Sequence, residues 1–316
     1  MPKKVVFVGT PTPLLKIFFQ LCGSNEGARA FENLKFPGVF TELTRSRQMD
    51  QCLANIGMAL FDVGAFRSPA GLDLLLKLEP DWLFSVVSPI IFRNDILQIP
   101  KDGALNLHPG RLPDYAGQHA HQWAIRNGEN HFGVSLHWIE AKVDAGPVVA
   151  SVNFTIAPND TGFSLYMKCL AHGVPLVIEA LQKINSGQPL DKIPQDLSKR
   201  RVYLHKESLD GNIDWNWTAE KICLFVRAAD YGPFKGSPYT PTFQVGAFKF
   251  ELRTCTLGAS TDSPPGTVLE ISDSCFLVAT GAGTSLRIYK TLSMGGGPSL
   301  DDYVRSVGMS VGSLFS

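Results

Sequence analysis

The sequence predicts an α/β protein in two parts, a mostly parallel sheet built from β-α-β units and then a smaller β-barrel or curled sheet. Three observations carry this. Short apolar runs alternate with helical patterns through residues 1–187, the texture changes after Gly187, and the C-terminal third holds short alternating strands between turn signals. The length agrees: 316 residues, at roughly 100–200 per domain, accommodate two domains.

Taken in order, Val5-Val6-Phe7-Val8 is a buried first strand ending at the turn Gly9-Thr10-Pro11. Lys3 and Lys4 ahead of it imitate a signal peptide, but Pro11, Pro13 and Lys16 interrupt any apolar core of one. Leu72, Leu74, Leu75, Leu76 and Leu78 belong to a buried helix face. Trp82 to Val87 and Ala104 to His108 are further strands, the latter stopped by Pro109-Gly110. From Gly133 to Ile139, Val134, Leu136 and Trp138 alternate with Ser135 and His137, which predicts a half-exposed antiparallel strand near one sheet edge. Leu170, Val174, Val177, Leu181 and Ile184 recur at helical spacing up to Gly187, with Pro175 a place for a kink. Pro189, Pro194 and the run Lys199-Arg200-Arg201, itself readable as a plain surface charge run, mark a linker over 188–208. The second domain, 209–316, opens with a helix over 219–229. Strands around 248–253, 266–271, 275–280 and 285–292 follow it.

Composition narrows the function. Twenty-nine lysines and arginines balance 29 aspartates and glutamates, so no global field draws in nucleic acid or acidic lipid. A hydrophobic content of 44% supports packed cores, and no apolar run reaches the roughly 18 residues of a membrane span. The six cysteines are scattered without a C-x-x-C pair, which points to free thiols and a cytoplasmic protein.

The chemistry concentrates between residues 106 and 146. The turn after the first strand lacks both G-x-G-x-x-G and the Walker pattern, which disfavours nicotinamide and nucleoside triphosphate chemistry, and Gly295-Gly296-Gly297 reads as a loop. Asn106 and His108 are one residue apart and share a face of their strand, at the carboxyl end where open α/β sheets place ligands. Capping of local backbone is the other role open to them. Asp144, in the loop Val143-Asp144-Ala145-Gly146, supplies a carboxylate flanked by small residues. A histidine for proton transfer, an asparagine to polarise a carbonyl and an aspartate to tune the histidine form a set suited to acyl transfer. His119-x-His121 falls in an expected helix where residues two apart diverge, and no H-E-x-x-H occurs, so no metal is expected.

Asn106-x-His108, Leu112-Pro113 and Asp144-Ala145-Gly146 resemble the signature of the 10-formyltetrahydrofolate-dependent formyltransferases. Val6-Phe7-Val8-Gly9-Thr10-Pro11 resembles the start of methionyl-tRNA formyltransferases, and Ile213-Asp214-Trp215 with Ile222, Val226, Arg227 and Ala228 resembles the entry to their C-terminal domain. The resemblance implies a Rossmann-like catalytic domain and an OB-like second domain. It places Asn106, His108 and Asp144 in the catalytic trio, and Ser88, Ile90, Ile91 and Phe92 in the apolar loop around the pterin. Glu140 and Val143 fall in the folate-binding loop. Gly110-Arg111-Leu112-Pro113 corresponds to the family's folate-contacting Ser-Leu-Leu-Pro and is placed by the resemblance among the folate contacts, without the serine. Tyr115-Ala116-Gly117, with Ala120, Trp123 and Ala124, looks closer to members that modify small molecules or carrier-bound amino acids than to the tRNA enzymes.

The expectation is therefore an enzyme that moves a formyl group from 10-formyltetrahydrofolate to a primary amine of a small molecule, foremost a nucleotide-linked amino sugar. Gln118, His119 and Gln122 are candidate acceptor contacts, or simply a solvated helix face. Methionyl-tRNA, an amino acid or a carrier-bound amino acid are the alternative acceptors. A folate-binding scaffold without activity is the alternative from another class. Neither a nucleic-acid nor a membrane partner is expected, and the oligomeric state is left open.

Overall fold

The computed structural model describes the chain except residues 23–30, 44–45, 209, 235, 273–274 and 316. The first elements are β1 (Lys3–Gly9), α1 (Pro11–Cys22), β2 (Leu34–Thr41), α2 (Arg47–Ile56), β3 (Ala59–Asp62), α3 (Pro69–Leu78) and β4 (Trp82–Val86). There follow α4 (Asn94–Leu97), β5 (Gly103–His108), β6 (Ala116–Gly117), α5 (Ala120–Arg126), β7 (His131–Trp138), β8 (Val148–Thr155), α6 (Gly162–Asn185) and β9 (Val202–Tyr203). The chain continues through α7 (Ala219–Ala229), β10 (Thr242–Val245), β11 (Phe248–Leu257), β12 (Val268–Ile271), β13 (Phe276–Thr280), β14 (Thr284–Ser293) and α8 (Leu300–Ser306). Two compact units result: residues 1–117, 131–155 and 167–202 make the first, and 118–130, 156–166 and 203–316 the second.

The first unit is a Rossmann-like sheet in the order β3-β2-β1-β4-β5-β7-β8. The five strands from β3 to β5 are parallel, and β7 runs antiparallel to both β5 and β8. The chain leaves β1 toward β2 and later returns to place β4 on its other side, so a topological switch lies between β1 and β4. Val5 to Val8 have no exposed surface, because helices cover both faces of the central strand. In α1, Pro11 fits the first turn, where an N–H would be unused, and Leu14, Ile17, Phe18 and Leu21 form its buried stripe. In α2, the Ser46 side chain accepts the Met49 amide, and Gly57 ends the helix at φ 72. Helix α6 runs as one element from Gly162, well ahead of the expected start, with Pro175 inside. Its Val174, Val177 and Leu181 pack on Leu105, Leu107, Val134 and Leu136; each such side chain, fully buried, contributes about 1.5–3 kcal/mol.

Strand β7 is not half-exposed. Its polar positions Ser135 and His137 are each only 1% exposed, because both faces of the strand are covered. In the second unit, β10-β11-β14-β13-β12 form an antiparallel sheet that curls but stays open at β10 and β12, a half-barrel form of the expected small domain. Helix α7, capped by Thr218, lays Ile222, Phe225 and Val226 into a core with Phe250, Leu252, Val278 and Leu286. Among the described residues no helix is long and apolar enough to cross a membrane.

Candidate active site

Register builds the site. Where β5 pairs with β7, Asn106 stands opposite His137 and His108 opposite Ser135, so four polar side chains share one face. On the other face Leu105 and Leu107 enter the core with Leu136. Asn106 Nδ2 lies 3.1 Å from His137 Nε2, and His137 Nδ1 donates to the Trp138 carbonyl at 2.8 Å. His108 Nε2 donates to the Tyr115 carbonyl at 2.7 Å. Ser135 Oγ donates to the Gly110 carbonyl at 2.9 Å and accepts from the Leu112 amide at 3.2 Å, which fastens the Gly110–Pro113 turn to β7.

Asp144 completes the group from the loop between β7 and β8. One carboxylate oxygen lies 3.7 Å from His108 Nδ1 and accepts the Gly117 amide at 2.8 Å; the other lies 3.3 Å from His137 Nε2. Asp144 sits at φ 51, a left-handed conformation that aspartate tolerates better than most residues. Side-chain exposures of 6%, 2% and 9% for His108, His137 and Asp144 put the three groups in a low-dielectric setting. Burial alone would raise the Asp144 carboxyl, but the charge of His108, the hydrogen bond and charge of His137, and the Gly117 amide together hold it well below the usual carboxylate range. The result is a carboxylate anion fixed between two imidazoles.

The structure thus brings Asn106, His108 and Asp144 together, and adds His137 and Ser135, which sequence reasoning passed over as strand residues. Their signal was the alternation of polar residues along β7, opposite the Asn-x-His strand.

The other predicted residues are placed as follows. After β4, Ser88 Oγ accepts the Ile90 amide at 3.1 Å. Ile90 is partly buried, Ile91 is 73% exposed, and Phe92 is buried in the core against Phe66. Only the isoleucines offer surface to a ring. Val87, just before this loop, holds a β-branched side chain at φ 49, a strained geometry. Gly110 is buried and Arg111, Leu112 and Pro113 half-buried, Arg111 pairing with Asp114 at 3.2 Å. Glu140 and Val143 are exposed at the loop that carries Asp144.

Gln118, His119 and Gln122 belong to the second unit. Only Gln122 is in a helix: α5 starts at Ala120, and His119 caps it at φ 56, a turn geometry that the expected helix did not allow for. Gln122 is 1% exposed and donates to the Ala228 carbonyl at 3.1 Å and to Ser237 Oγ at 3.2 Å, so it does not form a solvated face. His119 Nε2 meets His205 Nδ1 at 2.9 Å, and burial, then the neighbouring His205, push its pKa down to about 4. His121 turns to the Tyr231 hydroxyl, 2.6 Å away, so the two histidines diverge. Among the described residues no group of three or more His, Cys, Asp or Glu side chains is arranged to hold a metal ion.

Comparison with known proteins gives the same family along most of the chain. Residues 5–181 match the formyl transferase model, and residues 206–302 match the formyl transferase C-terminal domain. A methionyl-tRNA formyltransferase of Roseiflexus castenholzii is 30% identical over 292 residues, 90% of this chain and 89% of that protein. One from Verminephrobacter eiseniae is 30% identical over 244 residues, 75% of this chain and 73% of the other. Among solved structures, an N-formyltransferase from Helicobacter canadensis, in complex with folinic acid and dTDP-3-aminofucose, superposes with a TM-score of 0.65. It shares 17% identity and covers 92% of this chain and 100% of its own. WlaRD, a sugar 3N-formyl transferase with dTDP and 5-N-formyl-THF, has a TM-score of 0.64 and 15% identity, covering 94% and 100%.

Proposed function

The chain belongs to the formyl transferase family, and we propose that it moves the formyl group of 10-formyltetrahydrofolate to a primary amine of a small molecule, foremost a nucleotide-linked amino sugar. The observation that carries the choice of acceptor is charge. Residues 209–316 hold eight lysines and arginines against ten aspartates and glutamates, a net of −2. Gripping a tRNA backbone calls for clustered cations instead. The methionyl-tRNA reading is favoured by the sequence relatives, at 30% identity over most of the chain; the likeness to sugar N-formyltransferases is one of fold.

The residues present suit the folate. Exposed Ile91 and Val143 and partly buried Ile90 offer apolar surface to a flat ring. The bound folate would supply an activated formyl carbon for attack by a free amine. Asn106 donates from its side-chain amide to the oxygen on which charge develops. His108 carries positive charge beside that oxygen. Direct donation from its Nε2 requires giving up the Tyr115 carbonyl, so its Nδ1 edge and Asp144 are the readier route for a proton. Asp144 would hold the imidazolium and, staying ionised itself, help relay the amine proton through water to the folate nitrogen, which leaves as its bond to the formyl carbon breaks. His137 keeps both Asn106 and Asp144 in place.

The test is mass spectrometry of products after incubation with 10-formyltetrahydrofolate and nucleotide-linked amino sugars, amino acids, carrier-bound amino acids and charged initiator tRNA. A gain of one formyl group on an amino sugar alone is the expected result. Formylation of tRNA alone would replace this reading with the second, and folate binding without any formylated product would favour a scaffold.

A further inference from the structure

We infer that Gln195 and Arg200 are positioning residues for formyl transfer, acting by holding the backbone of the loop that carries Asp144. This rests on the site reading above. Both residues come from the stretch after α6 that the sequence marks as a linker, and both fall in the first unit. Gln195 Nε2 donates to the Asp144 carbonyl at 3.0 Å and to the Gly146 carbonyl at 2.6 Å, and Arg200 Nη2 donates to the Val143 carbonyl at 2.5 Å. Two side chains thus hold three carbonyls within four residues of chain.

The stretch itself is anchored. Ile193 and Val148 exchange two backbone hydrogen bonds of 2.8 and 2.9 Å, and Trp138 Nε1 donates to the Asp191 carbonyl at 2.9 Å. The loop has little freedom of its own. Gly146 lies so near Trp138 that a Cβ there would sit 2.0 Å from its carbonyl oxygen, and Asp144 needs its left-handed conformation to face both imidazoles. Gln195 Oε1 is buried with no partner. The amide therefore gives up one acceptor to keep both of its hydrogens on the loop, and turning it over would set an oxygen against two carbonyl oxygens. A residue serving only to pack this stretch has no reason to accept that arrangement. One that fixes the position of Asp144 does.

The experiment replaces the donor without changing size. Gln195→Glu, and Gln195→Met in case the carboxylate does not fold, are assayed far below their melting temperatures. Turnover is expressed per folded molecule and compared with Asp144→Asn and with the double variant, all in single turnover with enzyme in excess; Asp144→Glu replaces Asp144→Asn should the latter have no measurable rate. The expected result is a fall in the rate constant of at least tenfold for the Gln195 variant, with little further fall when it is added to the Asp144 variant, because both act through one group. Arg200→Met is expected to behave likewise with a smaller loss. A Gln195 variant within twofold of the parent, or losses that multiply in the double variant, would overturn the inference. If the Asp144 variants themselves keep full turnover, it is the site reading that fails.

Discussion

Gly110 stands so close to His108 that a Cβ built on it would lie 2.3 Å from Nε2 of the imidazole and 2.6 Å from the Tyr115 carbonyl oxygen to which that nitrogen donates. The glycine is thus part of the seat of His108. Its place in the motif, where the family has a serine, is set here by the ring beside it. Gly110→Ala is expected to push the imidazole off its carbonyl and lower kcat/KM by about a hundredfold, the usual cost of a misplacement of about 1 Å. Steady-state kinetics on protein of unchanged circular dichroism checks this. Near-parental turnover would mean that His108 has room the structure does not show.

His137 joins Asn106 to Asp144, and a side chain without nitrogen should separate them. His137→Phe is expected to reduce turnover by roughly ten- to a hundredfold, less than removal of His108, because it holds acting groups rather than acting itself. Parallel measurement of both variants settles the order. A His137→Phe enzyme slower than His108→Ala would assign the proton work to the wrong imidazole.

Much of this site could be read before the fold was known, and the reasons are local. Asn106 and His108 share a face because a strand has a period of two, and the stop at Pro109-Gly110 marks a strand end. His137 was hidden by the same rule. Alternation of Val134, Leu136 and Trp138 with Ser135 and His137 looks like one wet face, yet that face is 1% exposed at both polar positions, and only the pairing of β7 with β5 brings it to Asn106 and His108. Phe92 went astray for a related reason, since an apolar loop does not state which of its side chains turns to the core. Gln195 lay in a stretch of polar residues and prolines whose contacts are all distant in sequence. The early start of α6, by contrast, was there to be read: Leu165 and Cys169 stand four apart, fully buried, and carry the helical spacing back from Leu170.

The depressed Asp144 carboxyl makes stability depend on pH with a definite sign. In the unfolded chain an aspartate titrates near ~3.9; in the folded protein the group loses its charge only at lower pH. Its contribution is therefore complete above about pH 4 and fades as pH falls through the folded-state value. Urea midpoints from pH 3 to 7 for the parent and Asp144→Asn are expected to differ most at neutral pH and to converge toward pH 3. A gap independent of pH would mean that the carboxylate is not selectively stabilised. The same reasoning keeps Asp144 ionised throughout the working range, so any acid limb of turnover belongs to another group.

Gln122 tests how far a residue singled out for an acceptor can instead be structural. Its buried amide serves the Ala228 carbonyl, in the last turn of α7, and the Ser237 hydroxyl. Gln122→Leu leaves a buried carbonyl without its donor and should cost about 1–3 kcal/mol, read as a lower melting temperature, with the Michaelis constant for the acceptor within twofold. A raised Michaelis constant at unchanged melting temperature would return Gln122 to the acceptor.

The acceptor itself can be probed through salt. Each phosphate held by a lysine or arginine releases condensed counterions, so binding of a single-stranded polyanion falls with a logarithmic slope of about −0.7 per contact, and of a duplex about −0.9. Residues 209–316 offer Lys221, Arg227, Lys235, Lys249, Arg253, Arg287, Lys290 and Arg305 for such contacts, with Lys235 outside the described residues. Arg253 is already joined to Glu251 at 3.0 Å, and Arg287 lies 3.6 Å from Glu270. The ten acidic residues of the same stretch outnumber these cations and oppose a phosphate backbone, whereas a nucleotide-linked sugar needs only one or two of them. Turnover on an amino-sugar nucleotide is therefore expected to change less than threefold between about 50 and 200 mM salt, against the losses of a thousandfold or more that six or more phosphate contacts bring to binding. Efficient formylation of methionyl-tRNA whose kcat/KM collapses across that interval would establish a polyanion grip, and with it the tRNA reading.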